Sequence, residues 1–345
     1  MEKVKEYFSK GFYSNVWDDI CSAHHGTVQD DLDGSGDQTL VRLNPYHHES
    51  VYDHVHMVYE ESLKSGDDRI ALLASVHDIA KAYCRFYNEN NGRVRFAGHE
   101  YASALFSINF LRQFVPEEEL ISYLKVLTLH VVSYGENPHN YDLNETELEL
   151  LKGLNIADNA GRICEDRNDL PFDEWVPVEE NTKVFGDAPE YTILVGIPGS
   201  GKSHYTNGGY MGKVFSTDDY MEKTAEIMFG VKDDYNLAFQ KMSGAKINWV
   251  GQTIDNSLYH LKETGEDCLL DATNLTKKKR SNIAKRARKL GAHVKYVMVW
   301  RDFSECVGCR SSGEKNIPEG VFKRMFTSFT YPKKSEYDTI EHVVV

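Results

Sequence analysis

No stretch of this chain approaches the ~20 apolar residues that cross a bilayer, so no spanning helix and no membrane partner is expected. The opening residues, MEKVKEYFSKGFY, lack the apolar core of a secretory signal, and a cytoplasmic location is the expectation. Cysteine is scarce, with six residues scattered at spacings that suggest no disulfide framework. Positive charge is in deficit. A net charge of −14 argues against whole-surface attraction to nucleic acid, but not against a local basic groove. Lys277, Lys278, Lys279, Arg280, Lys285, Arg286, Arg288 and Lys289 are the candidates for such a groove. Internal repeats and low-complexity tracts are absent.

What is present describes an ordinary globular chain of two domains. It has 345 residues, 41% hydrophobic and 27% charged. From Tyr46 to about Asn159 apolar residues recur at three- and four-residue spacing, which predicts helices over Ser50–Leu63, Asp68–Phe86, His99–Phe114 and Glu117–Ser133 with no strand between them. A poorly patterned acidic segment follows. Short apolar strands then alternate with helices: Tyr191–Val195, Val214–Ser216, Cys268–Leu270 and Val294–Trp300, separated by helical stretches around Tyr235–Thr264 and Lys278–Leu290. That alternation predicts a mainly parallel α/β sheet. The expected fold is therefore multidomain: an all-α helical domain over 1–165, of which 1–45 is an unassigned extension, a linker over 166–189, and an α/β domain over 190–345.

Between the first two of these elements in the second domain lies Gly196-Ile197-Pro198-Gly199-Ser200-Gly201-Lys202-Ser203, a full G-x-x-x-x-G-K-[ST] phosphate-binding loop. Gly196, Gly199 and Gly201 allow the backbone to curl its N–H groups, with that of Ser200, toward phosphate. Lys202 reaches the β- and γ-phosphates of ATP or another nucleoside triphosphate, and Ser203 offers a hydroxyl to Mg²⁺. Gly208-Gly209 predicts that the helix after the loop is short. Ser216-Thr217-Asp218-Asp219-Tyr220 follows a strand end, where ligands bind in open α/β sheets and a carboxylate can take a proton from a hydroxyl. Asp271-Ala272-Thr273-Asn274-Leu275 follows another. Arg310 and Lys315 lie in the polar segment CRSSGEKN, placed to close over phosphates.

Loop, STDDY, DATN and basic segment, in this order, resemble the polynucleotide 5′-hydroxyl kinase family. The resemblance implies Asp218 as general base, Lys202 and Ser203 on phosphate and Mg²⁺, Arg310 and Lys315 as lid cations, and Thr273 and Asn274 lining the acceptor site. One departure is Met221, where family members often carry an arginine that holds an acceptor phosphate. Cys306 and Cys309 read as packing or lid residues, since no second ligand pair completes a zinc site.

The N-terminal half carries a second constellation: His54, the adjacent His77-Asp78 with Lys81 after it, His99, His130 and Asp158, spread over separate predicted helices. Imidazole and carboxylate are the ligand set for Mn, Ni, Co, Fe or Zn, and helix bundles assemble such sites from facing helices. The pattern H…HD…H…H…D with HDxxK resembles the HD phosphohydrolase superfamily. It implies His54, His77, Asp78 and Asp158 on a first divalent ion, His99 and His130 on a second, Asp78 bridging, and Lys81 and His48 on the substrate phosphate. The pair of domains resembles two-domain end-healing enzymes of bacteria and phages. These would phosphorylate 5′-hydroxyl RNA or DNA ends, clear 2′/3′-phosphates, and pass the product to a ligase. The other readings are a nucleoside or small-metabolite kinase fused to an HD nucleotidase, and a nucleotide-gated binding module with a degenerate HD site.

Overall fold

The computed structural model describes residues 51–88, 93–163, 170, 172–178, 186–311 and 315–345. The proposed substrate contact His48, the extension 1–45 and half of the segment 166–189 lie outside the described residues. The chain divides into two compact units. The first holds residues up to Val178 with Asp302–Ser304 and Phe326–Phe329, and the second holds Glu179–Arg301, Glu305–Met325 and Thr330–Val345.

The first unit is mainly helical: α1 (Val51–Leu63), α2 (Asp68–Val76), α3 (Lys81–Cys84), β1 (Phe86–Asn88), β2 (Arg93–Arg95), α4 (His99–Phe106), α5 (Ile108–Leu111), α6 (Glu117–Leu129) and α7 (Glu145–Ala160). The antiparallel pair β1–β2 corrects the all-α expectation. The helix predicted over Asp68–Phe86 also divides. Its ladder stops after Val76, because the Ala80 N–H donates to Ser103 Oγ of α4 at 3.1 Å instead of to a carbonyl one turn back. The four-residue interruption places His77 and Asp78 off the regular helix. α7 starts with a full capping box, in which Asn144 Oδ1 accepts from Glu147 N–H at 2.9 Å and Glu147 Oε2 from Asn144 N–H at 2.8 Å. That box fixes the register that brings Asp158 to the buried side of the last turn.

The second unit runs β3 (Glu190–Val195), α8 (Lys202–Asn207), β4 (Lys213–Ser216), α9 (Thr217–Phe229), α10 (Tyr235–Gly244), α11 (Trp249–Thr264), β5 (Cys268–Asp271), α12 (Lys277–Lys289), β6 (His293–Trp300), most of α13 (Phe303–Ser311) and of α14 (Glu319–Ser328), and β7 (Thr339–Val344). Its sheet has the order β4-β5-β3-β6-β7, and every pairing is parallel. β3, at the centre, is buried from Tyr191 to Val195, as a parallel strand covered on both faces requires. The strand order reverses around β3, so its carboxyl end is where a ligand crevice forms. α8 is six residues long and ends at Gly208. β7 had no counterpart in the sequence reading. Among the described residues no helix is long and apolar enough to cross a membrane.

Candidate functional sites

In the first unit four elements and the interruption after α2 converge. His54 comes from the second turn of α1, His77 and Asp78 from the interruption, His99 from the start of α4, His130 from the end of α6, and Asp158 from α7. All six are buried. Asp78 lies at the centre. Its Oδ2 is 3.2 Å from His54 Nε2 and 3.2 Å from His77 Nε2, while its Oδ1 is 3.0 Å from His99 Nε2 and 3.6 Å from His130 Nε2. Asp158 Oδ1 joins the first half, 3.2 Å from His54 Nε2 and 3.8 Å from His77 Nε2.

Tautomers follow from the backbone. His77, His99 and His130 each direct Nδ1 at the carbonyl three residues back, at 2.8, 2.7 and 2.6 Å. A carbonyl only accepts, so Nδ1 carries the proton and, in the neutral ring, Nε2 presents a lone pair to the centre. That is the orientation metal-binding histidines adopt. Burial opposes the charge on Asp78, but His77, Lys81, His130 and His54 outweigh it and hold its carboxyl well below the usual range. Asp158 is likewise held low, against burial, by His54 and Arg162. Two anions and four imidazoles thus face one another. Among the described residues the groups of three or more close ligands are His54–His77–Asp78 and Asp78–His99–His130. These residues fit two divalent ions sharing Asp78. Lys81 ion-pairs with Asp78 Oδ2, so the cation expected on a substrate phosphate here rests on the shared carboxylate.

The second unit holds a cavity of about 530 Å³ at the carboxyl ends of the central strands. Gly199, Gly201, Lys202 and Ser203 form one wall, Thr217 and Asp218 another, and Asp271, Thr273, Arg301 and Arg310 line it too. Gly199 has φ 80°, and a Cβ there would stand 2.5 Å from the Cys306 carbonyl oxygen. Only glycine fits. Gly196 and Ser200 underlie the loop, with the Gly196 N–H donating to Thr273 O at 3.1 Å. Lys202 folds back and donates to the Gly196 and Ile197 carbonyls at 3.0 and 2.8 Å. Burial lowers its pKa, with Asp271 opposing.

Asp218 turns into the cavity, while Asp219 is exposed on another face of α9, outside it. Tyr235 donates to Asp218 Oδ1 at 3.3 Å. Lys315 lies 3.3 Å from Asp218 Oδ2 and 3.0 Å from Glu222. The expected lid cation is therefore paired with the acid. Thr273 reaches the cavity, and Asn274 corrects its assignment. It is fully buried with φ 46°, and its Nδ2 donates to Leu194 O at 2.8 Å, bracing the strand that leads into the loop.

Asp271 and Arg301, to which the sequence assigns no role, also line the cavity. Asp271 ends β5, and burial raises its pKa against the pull of Lys202. It stands where a strand-end carboxylate serves Mg²⁺ in loops of this type. Arg301 donates to Gly199 O at 3.3 Å. Met221, at the position expected to bind acceptor phosphate, is buried in an apolar cluster with Ala225, Val231, Ala238 and Met242. The basic helix is partly structural as well. Arg280 is buried against Glu336, Arg286 pairs with Asp255, and Arg288 with Asp338.

A family model described as an AAA domain matches residues 192–332. The C-terminal half carries a kinase-like P-loop domain. Within the curated proteins this chain is similar to 6-phosphofructo-2-kinase 1 of Saccharomyces cerevisiae, 30% identical over 120 residues that cover 31% of this chain and 14% of the relative's length. A solved structure of a provisionally assigned kinase from Chloroflexus aurantiacus matches at TM-score 0.34 and 15% identity, covering 46% of this chain and 85% of that one. In the P-loop domain the matched span holds Lys202, Asp218 and Asp271 together with Arg301 and Arg310.

Proposed function

We propose that the chain heals broken nucleic-acid ends, phosphorylating a 5′-hydroxyl from ATP in the P-loop domain and removing a 2′/3′-terminal phosphate or cyclic phosphate in the helical unit. The observation that carries the first activity is Asp218 turned into the cavity that Lys202 and Ser203 line. The acceptor hydroxyl gives its proton to Asp218 as its oxygen bonds to the γ-phosphorus. The bond from that phosphorus to the β-γ bridging oxygen breaks, and ADP leaves. Lys202 would exchange its loop carbonyls for phosphate oxygens. Arg301 and Arg310 would neutralise the transferring group. Ser203 and Asp271 would hold Mg²⁺.

For the second activity the support is the disposition of Asp78, one oxygen toward each pair of histidines. His54, His77, Asp78 and Asp158 would hold one divalent ion, and Asp78, His99 and His130 the other. Such ions, when bound, supply Lewis acidity to a phosphoester and make a bound water easier to deprotonate. The protein's own part is to fix the imidazole tautomers through the three backbone carbonyls and to keep both carboxylates charged.

A second reading, favoured by the burial of Met221 and by the internal pairing of Arg280, Arg286 and Arg288, gives the kinase a nucleoside or small-metabolite acceptor. The name of the yeast relative fits a small acceptor as well. Labelled ATP incubated with 5′-hydroxyl RNA, 5′-hydroxyl DNA, nucleosides and sugar phosphates separates the two. Label on the strand ends supports end healing. Label confined to small acceptors sinks it. In parallel, metal-loaded protein is given 3′-phosphate and 2′,3′-cyclic phosphate ends.

A further inference from the structure

Asp158 has its two oxygens in different company. Oδ1 faces His54 and His77. Oδ2 accepts from Tyr134 Oη at 2.8 Å and from Arg162 Nη2, while Arg162 Nε donates to Oδ1 at 3.2 Å. The fork-on-carboxylate arrangement fixes the plane of the carboxyl group as a single hydrogen bond would not. Arg162 is itself held, with its guanidinium over the Tyr134 ring at 4.9 Å. Tyr134 Oη also stands within 3.2 Å of Asn155 O. Tyr134 belongs to the 3₁₀ turn Val132–Tyr134, just after His130, and Arg162 follows the end of α7. The side-chain hydrogen bonds of the two residues go to Asp158 and to Asn155 O, on the His54–His77 side of the cluster.

We infer that Tyr134 and Arg162 are positioning residues, which aim Asp158 Oδ1 at the His54–His77 half of the paired site and so set how tightly a divalent cation is held in that half alone. The inference rests on the metal-centre reading above. Two features of the arrangement make it more than packing. With Oδ2 taken by two donors, Asp158 offers one oxygen and not two, leaving room at the cation for other ligands. And the arrangement is one-sided: Asp158 serves one half, whereas Asp78 serves both.

The test is titration of apo, full-length protein with Mn²⁺, with Co²⁺ absorption as a second readout. Wild type should bind two Mn²⁺. Arg162→Met should weaken one of the two by ~10–100-fold, the usual cost of losing a partner that orients a ligand, and leave the other unchanged. Its Co²⁺ spectrum should change in only one component. Arg162→Lys, which cannot span both oxygens, should fall between. Arg162→Met that is folded by circular dichroism and binds both ions with wild-type constants overturns the inference. So does equal weakening of both. Should Arg162→Met fail to fold, Tyr134→Phe takes its place, since it keeps the ring and deletes one hydroxyl. A several-fold loss confined to one ion supports the inference, and no change overturns it. Wild type that binds no Mn²⁺ defeats the metal-centre reading itself, a distinct result.

Discussion

His99 Nε2 stands 3.0 Å from Oδ1 of Asp78, and the two do not hydrogen-bond. The His99 proton is committed to the Phe96 carbonyl through Nδ1, so in the neutral ring a lone pair faces a charged oxygen. Two such atoms repel unless a cation or a proton lies between them.

Asp78→Asn should therefore lower metal content more than any other single change in this unit, because one oxygen of the pair becomes a donor and the bridge is lost. Mass spectrometry of metal-loaded protein should show less than half of the wild-type content, with hydrolysis of 3′-phosphate ends lost. Full metal content in the variant would place the ions elsewhere.

In the P-loop domain, Asp218→Asn should reduce phosphoryl transfer by ~10²–10⁴, the range for a missing general base, with the KM for ATP little changed. Asp219→Asn, on the exposed side, should be near wild type. Reversed outcomes would move the base to Asp219.

Lys202→Ala should abolish transfer while sparing hydrolysis, since Lys202 belongs to the second unit and the histidine cluster to the first. Parallel assays on one preparation decide it. Joint loss in a folded, metal-loaded variant would contradict two independent sites.

Lys279 provides a pH prediction. Burial lowers its pKa from 10.5 to about 8. Below pH ~8 folded and unfolded chains both hold the proton and the burial penalty is complete. Between ~8 and ~10.5 the folded chain has released a proton that the unfolded chain still binds, so stability rises with pH. Because the side chain is partly exposed, solvent trims the effect to about 1–3 kcal/mol. Lys279→Met should be the more stable protein at pH 7 in urea denaturation, and its advantage should fade by pH ~10. A difference constant across that range would remove burial of the charge as its cause.

The phosphate loop was legible because its requirements are local: glycines, a lysine and a serine at fixed offsets between a strand and a helix. Features set by distant partners were not legible. The helix break at His77 depends on Ser103 of α4, and nothing in SVHDIAKAY announces it. Asn274 looks like a cavity residue beside Thr273, but its task is a carbonyl eighty residues away. Arg280, Arg286 and Arg288 read as a basic face because Glu336, Asp255 and Asp338 are remote in sequence. Asp271 opens the DATN motif, but the motif alone points to its Thr and Asn; the burial of the acid beside Lys202 is what singles it out. The histidines were found from residue type and approximate spacing, whereas the aim of their Nε2 atoms is a property of the backbone carbonyls behind them.

The folded-back Lys202 makes ligand capture an exchange reaction. Its ammonium already has two acceptors in the Gly196 and Ile197 carbonyls, and what a ligand gains there is the excess of charged phosphate oxygens over neutral carbonyls. Ligands that bring only neutral oxygen to that position gain almost nothing from the lysine. The loop thereby discriminates by charge before shape is tested, and a nucleoside lacking its phosphates should bind scarcely better to wild type than to Lys202→Ala.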